Sequence, residues 1–477
     1  MQPVTGFDAT WLYLETEETP MHIGALFLVR LPASLKKQGP GAFQHAMTQK
    51  VAARLHLTPM LRRKLKNTPF DLDQPVWLED KNFSIDNHVF QHNLTEADTP
   101  AGLIDAFALV ENLHAAPLSR ERPLWEIHII DGLEKGCAAL YVKLHQAVTD
   151  GDGGQSTLRS ILDFSVRPGK LPDTMDDWVG EDDPGFFEAV SRVTQSLIDK
   201  PAKTAAAIPS IARAALRMGR AAIERTEQFA NLMGPKSLFN QSVTSQRSIA
   251  VVKLDLGDIK AISDKADVTV TDVILAAAGG ATREYLLAEN ALPAKTLTAL
   301  APYSTRDKES GEVEDRVTTI LAKLATDIDD PVERLAAVAL STTKARAEVE
   351  EADTAPIDPY SILGAPAFLR ALSGAFGKLD PSSPARPLLG NLMVSNIAGV
   401  AKPLYAAGAK IEANWPLPML LPGQALAIAA QSYCDQLHVT VLACADALPE
   451  PERLTAGFED EIAALAEAYG VKLKAVA

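Results

Sequence analysis

Apolar and polar positions along this chain follow two periods, and together they predict mixed α/β structure. Ile23–Leu31 and Ala138–Leu144 are short apolar stretches rich in β-forming residues and read as strands. Between them, Gly102–Ala115 places Leu103, Phe107, Val110 and Leu113 on one side at helical spacing. Strand, helix, strand in that order predicts an α/β domain. Residues 165–190 break the pattern. Pro168, Pro172 and Pro184, with the acidic cluster Glu181-Asp182-Asp183, read as an exposed loop. A helical segment is expected over about 185–233. Its second part, Ile211–Met233, carries Arg213, Arg217, Arg220 and Arg225 among many alanines. That pattern suits a surface helix linking two domains or an interfacial amphipathic helix, and the thin alanine face favours the first.

The second half resumes the alternation. Ile249–Leu256 predicts a strand and Val270–Leu287 a helix packed with small residues. Leu297–Pro302 and Leu392–Ile397 predict buried strands, and Leu426–Ala443 a hairpin turning near Cys434-Asp435-Gln436. A last helix is expected from about Glu452 to Tyr469, with Phe458, Ile462, Leu465 and Ala468 in register. The expected organisation is an N-terminal domain over 1–180, a helical linker over 181–245 and a C-terminal domain over 246–477.

Composition narrows the classes. The 477 residues are 47% hydrophobic and 22% charged, which excludes a mainly disordered chain. With 46 basic and 61 acidic side chains the net charge is −15, which argues against wrapping nucleic acid. Cys137, Cys434 and Cys444 have no metal-ligand spacing and suggest a reducing compartment. The start, Met1-Gln2-Pro3-Val4-Thr5-Gly6, lacks a secretory pattern. The best apolar stretch, Trp415–Ala430, is broken by Pro416, Pro418, Pro422 and Gly423, so no membrane-crossing helix is expected. A cytoplasmic protein, soluble or held at a membrane surface, fits these features.

The chemistry concentrates in Tyr141-Val142-Lys143-Leu144-His145-Gln146-Ala147-Val148-Thr149-Asp150-Gly151. A buried strand runs into a polar cluster and a glycine-rich turn, a junction where a rigid backbone presents side chains to a cleft. His145 can serve as acid, base or hydrogen-bonding group near neutral pH, and Asp150 can orient it or pair with an arginine. Read alone, a His followed by an Asp is more often a satisfied structural pair.

The segment resembles the His-His-x-x-x-Asp-Gly motif of CoA-dependent acyltransferases, and most closely that of the bacterial wax ester synthase/diacylglycerol acyltransferase family. Further stretches resemble the family in the same order: Pro20–Gly24, Phe83–Val89, Pro117–Glu126, Thr271–Ala276, Pro302–Arg306, Val394–Gly399 and Pro403–Gly408. The resemblance implies a pair of related, chloramphenicol-acetyltransferase-like α/β domains with an active-site tunnel between them. It implies transfer of a fatty acyl group from acyl-CoA to a long-chain alcohol or a diacylglycerol, with acyl-CoA as substrate and no other cofactor. It also implies peripheral attachment to a membrane or lipid-inclusion surface, and leaves a homodimer open. In the family the motif's second His removes the alcohol proton, and the motif's Asp is structural.

At that second position this chain has Gln146. A neutral amide oxygen is too weakly basic to take an alcohol proton, and a general base is typically worth about 10²–10⁴-fold. Two readings follow: an acyltransferase working without the usual base, or a weakly active or non-catalytic paralogue that binds acyl-CoA or lipid. Alternation along a strand points His145 to the core if Gln146 faces the tunnel. The candidate catalytic set is His145, Gln146, Asp150 and Gly151. The resemblance makes Asp272, Ser395 and Asn396 candidates for lining the substrate site, with the Asn396 amide as a donor to the thioester oxygen. Arg306 is the candidate partner of Asp150. Asp272 also suits the first turn of its helix, Trp125 suits the core, and His22 and His88 suit structural roles. No metal spacing, Walker motif or dinucleotide fingerprint is present.

Overall fold

A computed structural model describes residues 2–4, 6–68, 75–95, 99–149, 157–158, 161–167, 178–182, 234–306, 315–351 and 390–474. The expected helical segment 185–233 and the residues Asp150 and Gly151 lie outside these. In chain order the first half supplies α1 (Gly6–Leu14), β1 (His22–Arg30), α2 (Ala42–Ala52), β2 (Val89–Asn93), α3 (Leu103–Ala115), β3 (Trp125–Asp131) and β4 (Cys137–His145). The second half supplies β5 (Arg247–Asp255), α4 (Leu256–Ala266), α5 (Val270–Ala288), β6 (Thr298–Arg306), β7 (Asp315–Lys323) and α6 (Pro331–Glu351). It continues with β8 (Leu392–Val400), β9 (Tyr405–Ala406), β10 (Ala409–Leu417), β11 (Leu426–Tyr433), β12 (Gln436–Cys444) and α7 (Glu452–Ala468).

These strands form two six-stranded mixed sheets, so the fold is α/β. The first has the order β9-β10-β1-β4-β3-β2 and the second β7-β6-β8-β11-β12-β5. Helix α3 does not join the two strands that the apolar runs suggest. β1 and β4 are antiparallel neighbours, and α3 is the crossover between β2 and its parallel partner β3. Those two strands hide in the sequence because His, Gln, Glu and Asp interrupt them. All nine residues of β4 are buried, as a strand inside a sheet covered on both faces must be.

The sheets do not part where the chain does. β9 and β10, from the second half, extend the first sheet, with Lys410 to Leu417 pairing antiparallel to Arg30 to Gly24. Pro416 is tolerated in β10 because β9 pairs only with Lys410 and Ala409, leaving the rest of that edge free of ladder bonds among the described residues. One hydrophobic cluster therefore spans both halves, from Tyr141 and Trp415 through Phe107 to Ile428 and Phe458. A second fills the other face of the first sheet, with Phe27, Leu140, Trp125 and Met47. Helix α3 bridges the halves by a polar contact as well: Glu111 accepts from the Ile249 amide of β5 at 2.8 Å. Trp125 is a core residue, and its indole N–H donates to the Leu61 carbonyl at 2.8 Å.

Candidate active site

β4 delivers the chemistry-bearing segment to one end of the first sheet. The His145 amide donates to Leu124 O at 3.0 Å and the Gln146 amide to Met21 O at 2.9 Å, so both flanking chain segments hold the end of the strand. A single 3-10 turn, Gln146–Val148, follows. His145 opens it: its Nδ1 accepts from the Ala147 amide at 3.0 Å. Thr149 closes it, its hydroxyl donating to Gln146 O at 2.8 Å. From Cys137 to Thr149 every residue is buried except Gln146, which is half-buried. Among these residues Gln146 is therefore the one with part of its surface accessible.

His145 makes a hydrogen bond through one ring nitrogen and faces a carboxylate with the other. With Nδ1 accepting a backbone N–H, the neutral ring carries its proton on Nε2, which lies 3.4 Å from Glu15 Oε1. That separation is long for a hydrogen bond, and the attraction is chiefly electrostatic. Glu15 follows α1, and its other oxygen accepts two bonds from Arg120, from Nε at 3.0 Å and Nη2 at 2.5 Å. Burial pushes the Glu15 carboxyl up, but His145 and Arg120 outweigh it and hold it down at about 2. His145 is 1% exposed, so neither nitrogen faces open space, and Nε2 makes no hydrogen bond among the described residues.

A second buried network lies beneath this one. His22, paired across the sheet with His145, sets its ring nitrogen Nε2 2.6 Å from His114 O. His114 Nε2 lies 2.9 Å from Pro418 O, which fixes the proton there, so Nδ1 accepts from the Tyr141 hydroxyl at 2.7 Å. Burial keeps both rings neutral: it pushes His22 well below the usual histidine range and His114 down to about 3. Lys143 is buried as well, and its ammonium donates to Leu113 O and Ala116 O at the C-terminal end of α3. Burial lowers it to about 8 against the pull of Glu126. His22, like His88, thus has a structural place. His88 Nδ1 lies 2.8 Å from Trp125 O.

The candidates from the second half are engaged with their own surroundings. Asp272 is 3% exposed. Its Oδ2 accepts from the Thr269 amide and hydroxyl, forming the capping box of α5. Its Oδ1 accepts from Thr342 at 2.6 Å and from Arg346 at 3.2 Å. Asn396 donates to the Thr271 hydroxyl at 3.0 Å, tying β8 to the first turn of α5. Ser395, opposite Ala429 on β11, is half-buried. Further along β8, Gly399 has no room for a side chain, because a Cβ there would sit 1.3 Å from Ser432 O. Arg306 ends β6 opposite Asp315, and its side chain, like Asp150, lies outside the described residues. Among the described residues no hydrogen bond joins Asp272, Ser395 or Asn396 to the 145–149 turn. Among the described residues no group of His, Cys, Asp and Glu could hold a metal.

Sequence reasoning passed over Glu15 and Lys143. Glu15 sits in the run Glu15-Thr16-Glu17-Glu18, which reads as solvated, and Lys143 looks like a lapse in an apolar strand.

Two mixed sheets, the first completed by β10 from the second half of the chain, with a His-bearing turn closing β4, make an acyltransferase-type fold. A trichothecene 15-O-acetyltransferase from Fusarium sporotrichioides has this fold, with a TM-score of 0.56 at 11% identity over 97% of this chain and 94% of that one. The wax ester synthase/diacylglycerol acyltransferase from Marinobacter aquaeolei VT8 is more similar, with a TM-score of 0.69 at 25% identity over 98% and 100% of the two chains. Residues 4–274 match the wax ester synthase/diacylglycerol acyltransferase catalytic domain, and residues 315–466 the C-terminal domain of the same proteins. The O-acyltransferase WSD of Acinetobacter baylyi is 31% identical over 97% of this chain and 96% of its own length. A probable diacylglycerol O-acyltransferase of Mycobacterium tuberculosis is 29% identical over 97% and 98%. The chain belongs to the wax ester synthase/diacylglycerol acyltransferase family and is an O-acyltransferase.

Proposed function

We propose that the chain transfers a fatty acyl group from acyl-CoA to a long-chain alcohol or a diacylglycerol, at the turn that opens with Gln146. The observation that carries this reading is the partial exposure of Gln146 within an otherwise buried segment, at the position that the resemblance aligns with the family's base. The acceptor oxygen attacks the thioester carbonyl, a C–O bond forms as the C–S bond breaks, and the hydroxyl proton ends on the departing CoA sulfur. Gln146 aligns the hydroxyl through its amide oxygen and leaves the proton to pass to sulfur. Proximity alone supports a substantial rate under those conditions. Asp150 and Arg306 complete the reading as a charge pair that holds the loop. Asp272 and Asn396 contribute by fixing Thr271 and β8, and Ser395 faces the substrate.

Attachment to a membrane or lipid-inclusion surface belongs to the same reading. Phe164 and Val166, 60% and 53% exposed, support it as apolar side chains that face solvent two residues apart. Among the described residues no helix is long and apolar enough to cross a membrane.

Gln146 also favours a second reading, a paralogue that binds acyl-CoA or lipid without turning it over. Release of free thiol from palmitoyl-CoA, measured with hexadecanol or a diacylglycerol present and absent, separates the two. Acceptor-dependent release with ester formation is expected; no release above the acceptor-free control would leave only the binding reading.

A further inference from the structure

Gln146 offers an incoming nucleophile a neutral oxygen that accepts a hydrogen bond. Its side-chain amide is half-buried where β4 ends and has no hydrogen-bond partner among the described residues. The basic groups around it are engaged elsewhere. His145 gives Nδ1 to the Ala147 amide and buries Nε2 against Glu15. The Lys143 ammonium donates to two carbonyls at the end of α3. Arg120 donates to Glu15 and to Leu12 O. Among the described residues, then, no basic side chain of the turn is free to take a proton from a nucleophile.

That arrangement separates two kinds of acceptor. When a neutral alcohol attacks a thioester, its oxygen becomes an oxonium, a strong acid. Attack must therefore be coupled to loss of the proton, which is what a general base provides. When a neutral amine attacks, its nitrogen becomes an ammonium, which is stable at neutral pH, and the C–N bond forms without a base. The adduct also collapses without an acid. A thiol titrates at about 8.5 and an alkylamine at about 10.4, so the C–S bond breaks in preference to the new C–N bond. One nitrogen proton passes to the departing sulfur, and the products are an N-alkyl amide and free CoA. The other N–H of a primary amine remains to donate to Gln146 Oε1.

The surroundings favour an amine in its neutral, reactive form. Arg120 and Lys143 already place two cations near His145, and a third is disfavoured by repulsion and by burial. Lys143 is itself an alkylamine, 1% exposed and two residues before His145, and burial lowers it to about 8 against the pull of Glu126.

We propose that the chain also acylates primary alkylamines, making N-alkyl amides from acyl-CoA, with Gln146 receiving the amine N–H. The inference rests on the reading of the Gln146 turn as the point of acyl transfer.

The test gives the full chain palmitoyl-CoA with decylamine or 1-decanol and measures amide and ester by mass spectrometry. Protein-free mixtures are subtracted to remove spontaneous aminolysis. Enzyme-dependent amide is expected, rising about tenfold per unit between pH 7 and pH 9 as the free-base fraction of the amine rises. Gln146→His should raise ester formation roughly tenfold or more and leave amide formation within about threefold, because only the alcohol lacks a base. Gln146→Leu removes the acceptor oxygen and should lower amide formation about five- to tenfold, the size of one neutral hydrogen bond. Amide formed no faster than in the protein-free mixture would overturn the proposal. So would a Gln146→His chain that gains equally in amide and ester, or a folded Gln146→Leu chain that makes amide at the parent rate. Should the variants fail to fold, the parent decides in a mixture of both acceptors at pH 9: amide is expected as the major product, and ester as the major product overturns the proposal. Ester without enzyme-dependent amide would sink the amine acceptor alone. No enzyme-dependent product from either acceptor would sink the transferase reading itself.

Discussion

At the scale of single residues, the site turns on what surrounds position 146. The neighbours that orient the turn are already in place: His145 caps it, Glu15 faces His145, and Thr149 closes it. Gln146→His should therefore install the missing base in a prepared setting and raise acyl transfer by roughly 10–10⁴-fold, the upper end being that of a general base. The thiol-release rate checks this; an unchanged rate would mean that proton removal does not limit turnover. His145→Ala is the control: with Nδ1 capping the turn and the buried Nε2 facing Glu15, it should act through the shape of the turn. Glu15→Gln keeps the shape and removes the charge between His145 and Arg120. Glu15 is held at about 2 in the folded chain against 4.5, and at about 1.4 kcal/mol per unit its loss should cost roughly 3 kcal/mol. Thermal melting at neutral pH measures it, and an unchanged melt would show that Arg120 and His145 are satisfied without the charge. His145 was legible because a polar cluster after a buried strand stands out. Glu15 was not, because burial of one carboxylate among four polar residues is decided by where α1 ends against β1.

Among elements, the first turn of α5 shows how a candidate site residue can also be structural. Asp272 closes a capping box with Thr269 and reaches Thr342 and Arg346 on α6, so one carboxylate joins two helices. Asn396 then leans on Thr271 in the same turn. Asp272→Ala should cost about 2–4 kcal/mol, combining the lost cap with unsatisfied buried partners. The melting temperature and the KM for acyl-CoA divide the alternatives: a lower melt with KM unchanged assigns Asp272 to the scaffold, and a raised KM with an unchanged melt assigns it to substrate binding. The sequence made α5 visible through its small-residue pattern and allowed Asp272 in its first turn. It could not show that α6 would supply the partners.

For the molecule as a whole, the crossover of β10 is the decisive feature. Without it, β1 becomes an edge strand and exposes an unpaired row of backbone groups beside Leu26 and Phe27. A fragment of residues 1–245 should accordingly fail to fold alone, and co-expression with residues 246–477 should recover a soluble complex. Circular dichroism and gel filtration check both, and a monomeric, cooperatively melting fragment would show that the first sheet closes without β10. Acid should also loosen the molecule as a whole. His114 and His438 are held at about 3 and about 4 by burial, below 6.5. Both rings are neutral in the folded chain, while the unfolded chain takes up protons first as the pH falls. Their contribution is thus complete above about pH 6.5 and is lost as the pH falls toward their folded values, at up to about 1.4 kcal/mol per unit for each ring. Glu15 adds to the loss between 4.5 and about 2. Melting temperatures should fall between pH 7.5 and pH 5. His114→Gln, which removes the ring between Tyr141 and Pro418, should flatten that slope, and an equal slope in the variant would remove His114 from this account.

The sequence by itself determined the elements whose hydrophobic period is clean: β1, β4, α3, α5, the β11–β12 hairpin and α7. It also determined the α/β class, and through ordered motifs along the chain it pointed to the acyltransferase family and to Gln146. Periodicity is a local property, and residues close in sequence report it. What only the tertiary structure decided lies between distant segments. β2 and β3 pair in parallel through α3, β10 enters the first sheet despite Pro416, Glu15 is buried against His145, and Asn414 of the first sheet meets Gln431 of the second. Each depends on burial of a polar group or a proline that local periodicity does not place. Such burial is stable because a partner more than ten residues away supplies the hydrogen bond, the opposite charge or the open sheet edge.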